Sequence, residues 1–160
     1  MKYDVIIAID PDTIKSGVAV LVPSTRNIEI YSLTFPFLID FLVGFSKKYN
    51  FVNYIVVSEA GWMHKKSDFR DIKGKAGNRV AKNVGANHET GRKLVEMCIH
   101  YGLKVLPHIP LKKCWKGKEG KITHEEIRQF IQVPNRTNQE ERDAALLAWC
   151  FANLPILLKA

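Results

Sequence analysis

Two short apolar runs that each end in a carboxylate constrain the fold of this chain more than any other feature. Residues 3–10 and 54–59 are continuously apolar over most of their length and lack helical spacing, so each predicts a buried strand. Asp10 ends the first run, Glu59 ends the second, and the helical spacing of residues 35–49 lies between them. A strand–helix–strand unit places its two strands in parallel. Both carboxylates are therefore expected beyond one edge of a single sheet, where α/β folds bind ligands.

The remaining patterns predict a mixed α/β fold. Apolar runs at 17–22 and 28–31 follow the first strand through short turns, which is typical of an antiparallel meander. Residues 60–78 show no periodicity, and their length suits a functional loop. A helix is then expected at 78–101, a short strand at 104–106 and a helix at 123–131. A second capping box, at 138–141, precedes an apolar helix expected at 144–154. The order βββαβαβαα gives a mixed five-stranded sheet, an antiparallel meander plus parallel strands, flanked by helices in a single domain over residues 1–160.

Hydropathy and cysteine content indicate the cellular compartment in which the protein is expected. The N-terminal apolar run, residues 5–9, is far shorter than the ~18 residues of a membrane span, so no membrane association is expected. Asp4 and Asp10 interrupt that stretch and argue against a secretory signal. The cysteines are widely separated: Cys98, Cys114 and Cys150. We expect free thiols in a reducing cytoplasm rather than a disulfide framework or a zinc site.

The positive charge is concentrated in two segments. The chain has 24 Lys and Arg against 16 Asp and Glu, a net charge of +8. Residues 60–82 hold seven basic side chains and two acidic ones, and residues 112–121 hold five and one, so these segments carry the whole excess. For one segment alone, a solvated loop whose lysines serve solubility is an equal alternative. Two such segments, each with aromatic rings, favour nucleic-acid binding. The candidate nucleic-acid-binding residues are Trp62, Lys65, Lys66, Arg70, Lys73, Lys75, Arg79, Lys112, Lys113, Lys116, Lys118 and Lys121.

Two further carboxylates are expected to join the pair at the strand ends. Asp143 lies early in the closing helix, and Glu140 precedes it by three residues, on the same side of that helix. Two unit charges 4 Å apart repel by about 4 kcal/mol at an effective dielectric of ~20, so such a group calls for a divalent cation. Oxygen ligands without His or Cys suit Mg²⁺, or Mn²⁺ in its place. Two such ions about 3.5–4 Å apart can clamp the attacking and leaving oxygens of a phosphodiester. The candidate catalytic and metal-binding residues are Asp10, Glu59, Glu140 and Asp143.

Simpler roles exist for several of these acids. Asp10 could use its side chain locally in a turn, and Glu140 could merely favour the helix dipole. A carboxylate that ends a buried strand, as Glu59 does, is costly without a partner and is harder to explain in this way. Asp12 is expected to be a turn former rather than a ligand.

The ordered motifs match a known family. The chain has IAIDPD at residues 7–12 and SGVA at 16–19, then IVVSE at 55–59, and finally EERDAALLA at 140–148. These stretches resemble the opening D-P-G turn and G-x-x-V strand, the second acidic strand and the closing D-A-A-D-A-L-A-I-A helix of RuvC-type Holliday-junction resolvases. The resemblance spans nearly the whole chain in order. It implies a ribonuclease H-like fold and a Mg²⁺-dependent homodimer that nicks two strands of a four-way DNA junction symmetrically.

The resemblance also assigns roles by position. It implies that Asp10, Glu59, Glu140 and Asp143 bind the metal, and that Trp62 takes the place of an aromatic residue at the junction centre. Lys112 or Lys113, together with Lys121, resemble the phosphate-contacting lysines of the family. Two residues depart from its pattern: Asp12 replaces a glycine, although Asp tolerates left-handed backbone, and Glu140 replaces an aspartate.

Three other functions are compatible with the sequence to different degrees. A ribonuclease H-like nuclease could act on RNA or on an RNA–DNA hybrid, using the same acids. A protein that recognises structured nucleic acid without cutting it would use the basic segments alone. An actin-like ATPase shares the D-x-x-x-x-x-G opening, but this chain lacks the length for two nucleotide-binding halves.

Overall fold

A five-stranded mixed sheet forms the centre of the chain in the computed structural model, which describes residues 2–64 and 75–158, except the side chains of residues 75 and 76. The strands are β1 (Val5–Asp10), β2 (Ser16–Val22), β3 (Asn27–Leu33), β4 (Tyr54–Glu59) and β5 (Val105–His108). The helices are α1 (Phe35–Lys48), α2 (Lys75–His100), α3 (His124–Ile127) and α4 (Gln139–Phe151). The order βββαβαβαα, predicted from the sequence, is confirmed.

The sheet combines both kinds of strand pairing. Its order is β3-β2-β1-β4-β5, with β1 antiparallel to β2 and β2 antiparallel to β3. Strand β4 pairs in parallel with β1 on one side and with β5 on the other. The predicted meander and the predicted parallel strands are thus both present. Because β1 and β4 are parallel neighbours, their carboxyl ends lie at the same edge of the sheet.

The central strands are covered on both faces, which explains why their sequences are apolar without alternation. Side chains point alternately to opposite faces along a strand, so β1 contributes to two cores. Ile6 and Ala8 pack in the cluster that contains the buried residues of α4. Ile7 and Ile9 pack in the opposite cluster, with residues of α1 and α2. Within the described ranges, no helix is both long enough and apolar enough to span a bilayer.

A glycine allows α4 to lie directly against β2. A Cβ on Gly17 would stand 2.0 Å from the carbonyl oxygen of Glu140, so no larger residue fits without moving the helix. Beyond this contact α4 buries small side chains, Ala144, Ala145 and Ala148 among them. Gly17 is paired with Asp10 in the β1–β2 ladder. The close approach therefore brings the first turns of α4 to the end of β1.

The boundaries of three helices differ from those predicted. Helix α2 begins at Lys75 rather than at residue 78, so the unperiodic stretch is shorter than expected. Helix α3 ends at Ile127 rather than at residue 131, because the backbone after it closes tighter i,i+3 hydrogen bonds. Helix α4 covers Gln139–Phe151: it begins directly after the predicted cap at Asn138, ahead of the apolar run at 144, and ends before residue 154. It stops where Asn153 adopts a left-handed backbone (φ 53°) and a proline follows at position 155.

Strand β5 is longer than predicted, and it includes a proline. The sequence led us to end it at residue 106, before Pro107, but the strand continues through that residue to His108. Pro107 pairs with Ser58 of β4. Among the described strands, β5 has a neighbour on one side only, and an edge strand tolerates a proline because only half of its backbone groups enter the ladder.

Candidate active site

The ends of β1 and β4 and the first turns of α4 bring the four predicted carboxylates together. Burial raises the pKa of Asp10 well above its usual value, and repulsion from Glu59 and Asp143 raises it further. Attraction to Lys121 opposes that rise, and Glu140 adds another repulsion. Four acids from three separate elements therefore act on one another electrostatically at the carboxyl edge of the sheet.

Glu59 is subject to the same competition between burial and nearby charges. Burial raises the pKa of the Glu59 carboxyl, and the negative charge of Asp143 raises it further. Three positive or titratable groups oppose this effect, namely Lys121, Lys113 and His64. A carboxylate in this position is destabilised by its acidic neighbours and stabilised by the basic loop that follows β5.

Both carboxylate oxygens of Asp143 have partners within the protein. Gln139 donates from Nε2 to one oxygen at 2.7 Å, and the Lys121 ammonium lies 3.1 Å from the other. The start of α4 is itself fixed by a capping box, in which Asn138 and Glu141 satisfy each other's backbone amides. Asp143 is therefore held in one orientation by its own helix and by a lysine from a different segment.

Lys121 lies among the acids rather than at the rim of the site. Burial lowers the pKa of Lys121, but attraction and hydrogen bonding to Asp143, with further attraction from Asp10 and Glu140, outweigh burial and raise it. The backbone of this residue is fixed by the preceding turn, because the Gly117 amide donates to its carbonyl oxygen at 2.9 Å. The ammonium thus serves as a permanent positive charge beside the carboxylates.

Two polar side chains of α4, Gln139 and Arg142, donate to the carbonyl oxygen of Ile122, the residue after Lys121. Neither was among the site residues predicted from the sequence. Arg142 donates from Nε to the carbonyl oxygen of Ile122 at 3.1 Å and from Nη2 to Gln139 at 2.9 Å. Its Nη1 donates to the carbonyl oxygen of Thr137 at 2.6 Å. In the sequence, these hydrogen bonds are indicated only by the position of Gln139 and Arg142 near Asp143 on the first turns of a capped helix.

Two of the four acids open onto a small pocket of about 100 Å³ that is also lined by lysines. Glu59 and Asp143 line it together with Lys112, Lys113 and Lys121. Three of the predicted nucleic-acid-binding residues are thus brought to the acids. Lys116 and Lys118 are exposed and do not line this pocket.

Trp62 lies beside the site but is packed against α2. It belongs to a short 3₁₀ turn, Gly61–Met63, that follows β4. A Cβ on Gly91 would come within 2.5 Å of the Trp62 ring, so the ring rests directly on the helix backbone. The Arg92 guanidinium lies 5.6 Å from the centre of the same ring. Trp62 is partly buried by these contacts.

The other predicted basic residues are placed only in part. Arg79 is exposed on the first half of α2, and Lys75 begins that helix. The remaining candidates lie outside the described residues: Lys65, Lys66, Arg70 and Lys73. Their roles stay predictions.

The turn after β1 is closed by Asp12 and docked onto α2. One carboxylate oxygen of Asp12 accepts from the Ile14 amide at 2.8 Å, and the other accepts from the Asn87 side chain at 3.2 Å. Asn87 in turn accepts from the Thr13 amide at 3.2 Å. Asp12 is a turn former, as its sequence context predicts, but it does so without the left-handed backbone that we expected it to tolerate. Asn87 was missed because its polar partners are distant in sequence.

Comparisons with known proteins support the architecture and give no family assignment. The chain is similar to the solved structure of T. thermophilus RuvC in complex with a Holliday junction substrate, with a TM-score of 0.51 and 15% sequence identity over 91% of each chain. This chain has a ribonuclease H-like fold. No model of a known protein family and no curated protein sequence matches it.

The donor set of the site suits a hard divalent cation. Its candidate ligands are carboxylate oxygens. Burial, followed by repulsion between the carboxylates, raises the pKa values of Asp10 and Glu59, and a bound cation relieves that repulsion. In the part of the chain that the structure describes, no group of three or more His, Cys, Asp or Glu side chains is arranged to hold a metal ion. One oxygen of Asp143 is instead paired with the Lys121 ammonium.

Proposed function

We propose that this chain is a metal-dependent endonuclease that cleaves four-way DNA junctions. The observation that carries the proposal is the acidic group at the ends of β1 and β4 and the start of α4, two of whose members, Glu59 and Asp143, line a pocket together with three lysines. An acidic centre suits divalent cations, and a basic wall suits phosphates. The ribonuclease H-like fold, shared with a RuvC whose structure contains a Holliday junction, supports a branched DNA substrate.

The acids and two of the pocket lysines have separate roles in this proposal. Asp10, Glu59 and Asp143 would hold Mg²⁺, with Glu140 assisting from the same side of α4. Bound Mg²⁺ would supply charge stabilisation to the phosphodiester during hydrolysis. Lys112 and Lys113 would hold the phosphates on either side of the cleaved bond, since lysine binds phosphate as a compact point charge. The ends of β1 and β4 and the capped start of α4 hold the acids at one edge of the sheet.

Junction selectivity requires contacts beyond the pocket. We propose that the basic residues around the start of α2 and the Trp62 ring provide these contacts, and that two copies of the chain act together on opposite strands. A homodimer with two equivalent pockets would cut a two-fold symmetric junction at paired positions.

The test is a cleavage assay on a labelled four-way junction, with and without Mg²⁺, in which the cuts on all four strands are mapped. Paired, symmetric nicks that require Mg²⁺ are expected from the unaltered protein, and Asp10→Asn and Asp143→Asn are each expected to abolish them. Asp40→Asn is the matched control, because Asp40 is an exposed aspartate on α1. Linear duplex and RNA–DNA hybrid of the same sequence belong in the same assay. Nicking that survives both site variants would contradict the assignment of the acids, and preferential cleavage of the hybrid would contradict that of the substrate.

A protein that binds structured nucleic acid without cutting it is the second candidate. The observation that favours it is the ion pair between Lys121 and Asp143, which neutralises part of the acidic group without a metal. It predicts that the affinity for the junction falls as the salt concentration rises. On a plot of the logarithm of the binding constant against the logarithm of salt concentration, the slope is about −0.9 for each neutralised phosphate. That affinity would be unchanged in Asp10→Asn, with no nicking in Mg²⁺ or Mn²⁺ by any variant.

A further inference from the structure

Lys121 differs from the other lysines of the pocket in its partner. Its ammonium lies 3.1 Å from one carboxylate oxygen of Asp143, whereas no ion pair is described for Lys112 or Lys113 among the residues that the structure places. Both members of the pair are shielded, with side chains 33% and 16% exposed. Asp10 and Glu140 also attract this ammonium. It is the one cation of the described pocket that directly contacts a carboxylate.

The ammonium and a divalent cation cannot both occupy this position. An ammonium has three donors and no acceptor, so a carboxylate oxygen that accepts from it is not free to face a metal ion from the same side. A divalent cation near Asp143 would also repel the lysine, by more than the ~4 kcal/mol of two unit charges 4 Å apart at an effective dielectric of ~20. One of the two cations has to leave.

We propose that Lys121 is an internal competitor of the metal, whose ammonium must leave Asp143 before the divalent cation binds. The inference rests on the proposed function, because it assumes that the acids form a metal site. Lys121 is then a positioning residue: it keeps Asp143 oriented while no metal is bound and is released when the metal arrives.

The surroundings allow this exchange to take place by side-chain movement alone. The backbone around Lys121 is held, since Gly117 donates to its carbonyl oxygen at 2.9 Å and its own amide donates to Lys118 at 3.1 Å. The next residue, Ile122, accepts from Gln139 and Arg142 of α4. The four-carbon stem of a lysine is flexible. The released ammonium would remain in the same pocket, beside Glu59 and the neighbouring lysines.

The exchange couples metal binding to phosphate binding. A lysine released from Asp143 is available to a DNA phosphate at the pocket, and a phosphate that holds the lysine there leaves Asp143 free for the metal. By thermodynamic linkage, each ligand then tightens the binding of the other by the same factor.

The experiment is a calorimetric titration of the full chain with Mn²⁺, without DNA. Lys121→Met is expected to bind Mn²⁺ about tenfold more tightly than the unaltered protein, a change of about 1.4 kcal/mol. Lys121→Arg retains the charge and is expected to bind with nearly unchanged affinity. Lys113→Met is the matched control, because it removes the same charge from the same pocket without breaking an ion pair, and it should tighten binding by less than about threefold. Lys121→Gln repeats the test if Lys121→Met does not fold, as judged by thermal unfolding.

The outcomes separate this inference from the function on which it rests. Tighter Mn²⁺ binding by Lys121→Met alone supports the competition. Equal affinity in Lys121→Met and in the unaltered protein overturns the inference but leaves the metal site standing. Equal tightening in Lys113→Met and Lys121→Met also overturns it, because a general charge effect would then suffice. Absence of Mn²⁺ binding in every variant overturns the metal site and the inference together.

Discussion

Helices α2 and α4 both approach the carboxylate edge of the sheet, but they are held to it in different ways. Helix α4 is capped at its start, lies on β2 at Gly17 and buries six consecutive residues from Ala144 to Trp149. Among its described side chains, helix α2 buries residues only in its second half: Leu94 and Cys98 pack in the core, and Gly91 lies against Trp62. Its first half is largely exposed and extends roughly 18 Å beyond Asn87, at 1.5 Å per residue.

This difference matches the two tasks of the proposed enzyme. Carboxylates that share a cation need fixed positions, and α4 supplies them through backbone contact and a buried face. Basic side chains that meet a large, charged substrate need exposure, and the first half of α2 supplies it. The changes below are designed to break or sharpen this contrast, in order of decreasing effect.

The largest effect is expected from a methyl group at the contact between β2 and α4. Gly17→Ala should destabilise the protein by about 3 kcal/mol and abolish nicking, because the added Cβ would stand 2.0 Å from the Glu140 carbonyl oxygen and push α4 away from Asp10. Urea unfolding measures the loss. Gly85→Ala on α2 is the matched control: its added Cβ meets nothing within 4 Å, so a gain of about 0.5–1 kcal/mol is expected. Similar changes in the free energy of unfolding for Gly17→Ala and Gly85→Ala would show that α4 is not held to the sheet more closely than α2.

A smaller effect, of opposite sign, is expected when one buried charge is removed from the site. The folded-state pKa of Asp10 is raised above that of the unfolded chain, so its contribution to stability is present below pH ~4 and is lost as the pH rises through the folded-state value. In the absence of metal, Asp10→Asn should therefore be more stable than the unaltered protein at pH 7. The gain is about 1.4 kcal/mol for each unit by which the pKa is raised, and each kcal/mol is worth about 2–4 °C in Tm.

The pH dependence checks this assignment. The stability difference between Asp10→Asn and the unaltered protein should shrink toward zero near pH 3, and Mg²⁺ should stabilise only the unaltered protein. Asp40→Asn, on the exposed side of α1, should show no such pH-dependent gain. A gain of Asp10→Asn that stays constant between pH 3 and pH 7 would show that repulsion among the acids is not its cause.

A third change tests the joint between α2 and the turn after β1. Asn87→Ala removes the hydrogen bonds to the Thr13 amide and the Asp12 carboxylate, so it should cost about 1–2 kcal/mol. Nicking should slow more than junction binding weakens, because the turn positions Asp10 whereas the basic residues remain. Single-turnover rates and binding constants measured together separate the two effects. Asn83→Ala, exposed on the same helix, should change neither quantity, and equal effects of both variants would deny Asn87 this role.

The smallest effect on stability is expected from the exposed half of α2. Arg79→Gln combined with Lys82→Gln should change the free energy of unfolding by less than about 0.5 kcal/mol. Junction binding should weaken, and its salt dependence should fall by about 0.9 per lost phosphate contact. Lys47→Gln, at the end of α1 and near the opposite edge of the sheet, is the control and should leave the slope unchanged. An unchanged slope in the α2 double variant would place the DNA elsewhere.

The sequence predicted the features of the fold that local residue patterns determine. The apolar runs that end in Asp10 and Glu59 predicted strands, pairing and a shared edge, because continuous burial leaves few other folds for such runs. The Asn138 capping box likewise placed the start of α4, and with it Asp143, close to where the structure has them. These features depend on local patterns and on the general rules of parallel sheets.

Features that depend on contacts between distant segments could not be predicted. Lys121 was grouped with the nucleic-acid-binding lysines, since no local pattern distinguishes a lysine that contacts a carboxylate from its neighbours. The docking of Asp12 onto Asn87 joins residues 75 positions apart. Strand β5 was ended too early because Pro107 is a strand breaker in most contexts and is tolerated here only at the edge of the sheet.

The central claim is that Asp10, Glu59 and Asp143 form one divalent-cation site. Anomalous diffraction from crystals of the protein soaked in Mn²⁺ tests it most directly. The account predicts Mn²⁺ in direct contact with carboxylate oxygens of these three residues, with the Lys121 ammonium moved off Asp143. A structure at saturating Mn²⁺ that shows no ion between these acids, with the Lys121–Asp143 ion pair intact, would contradict it.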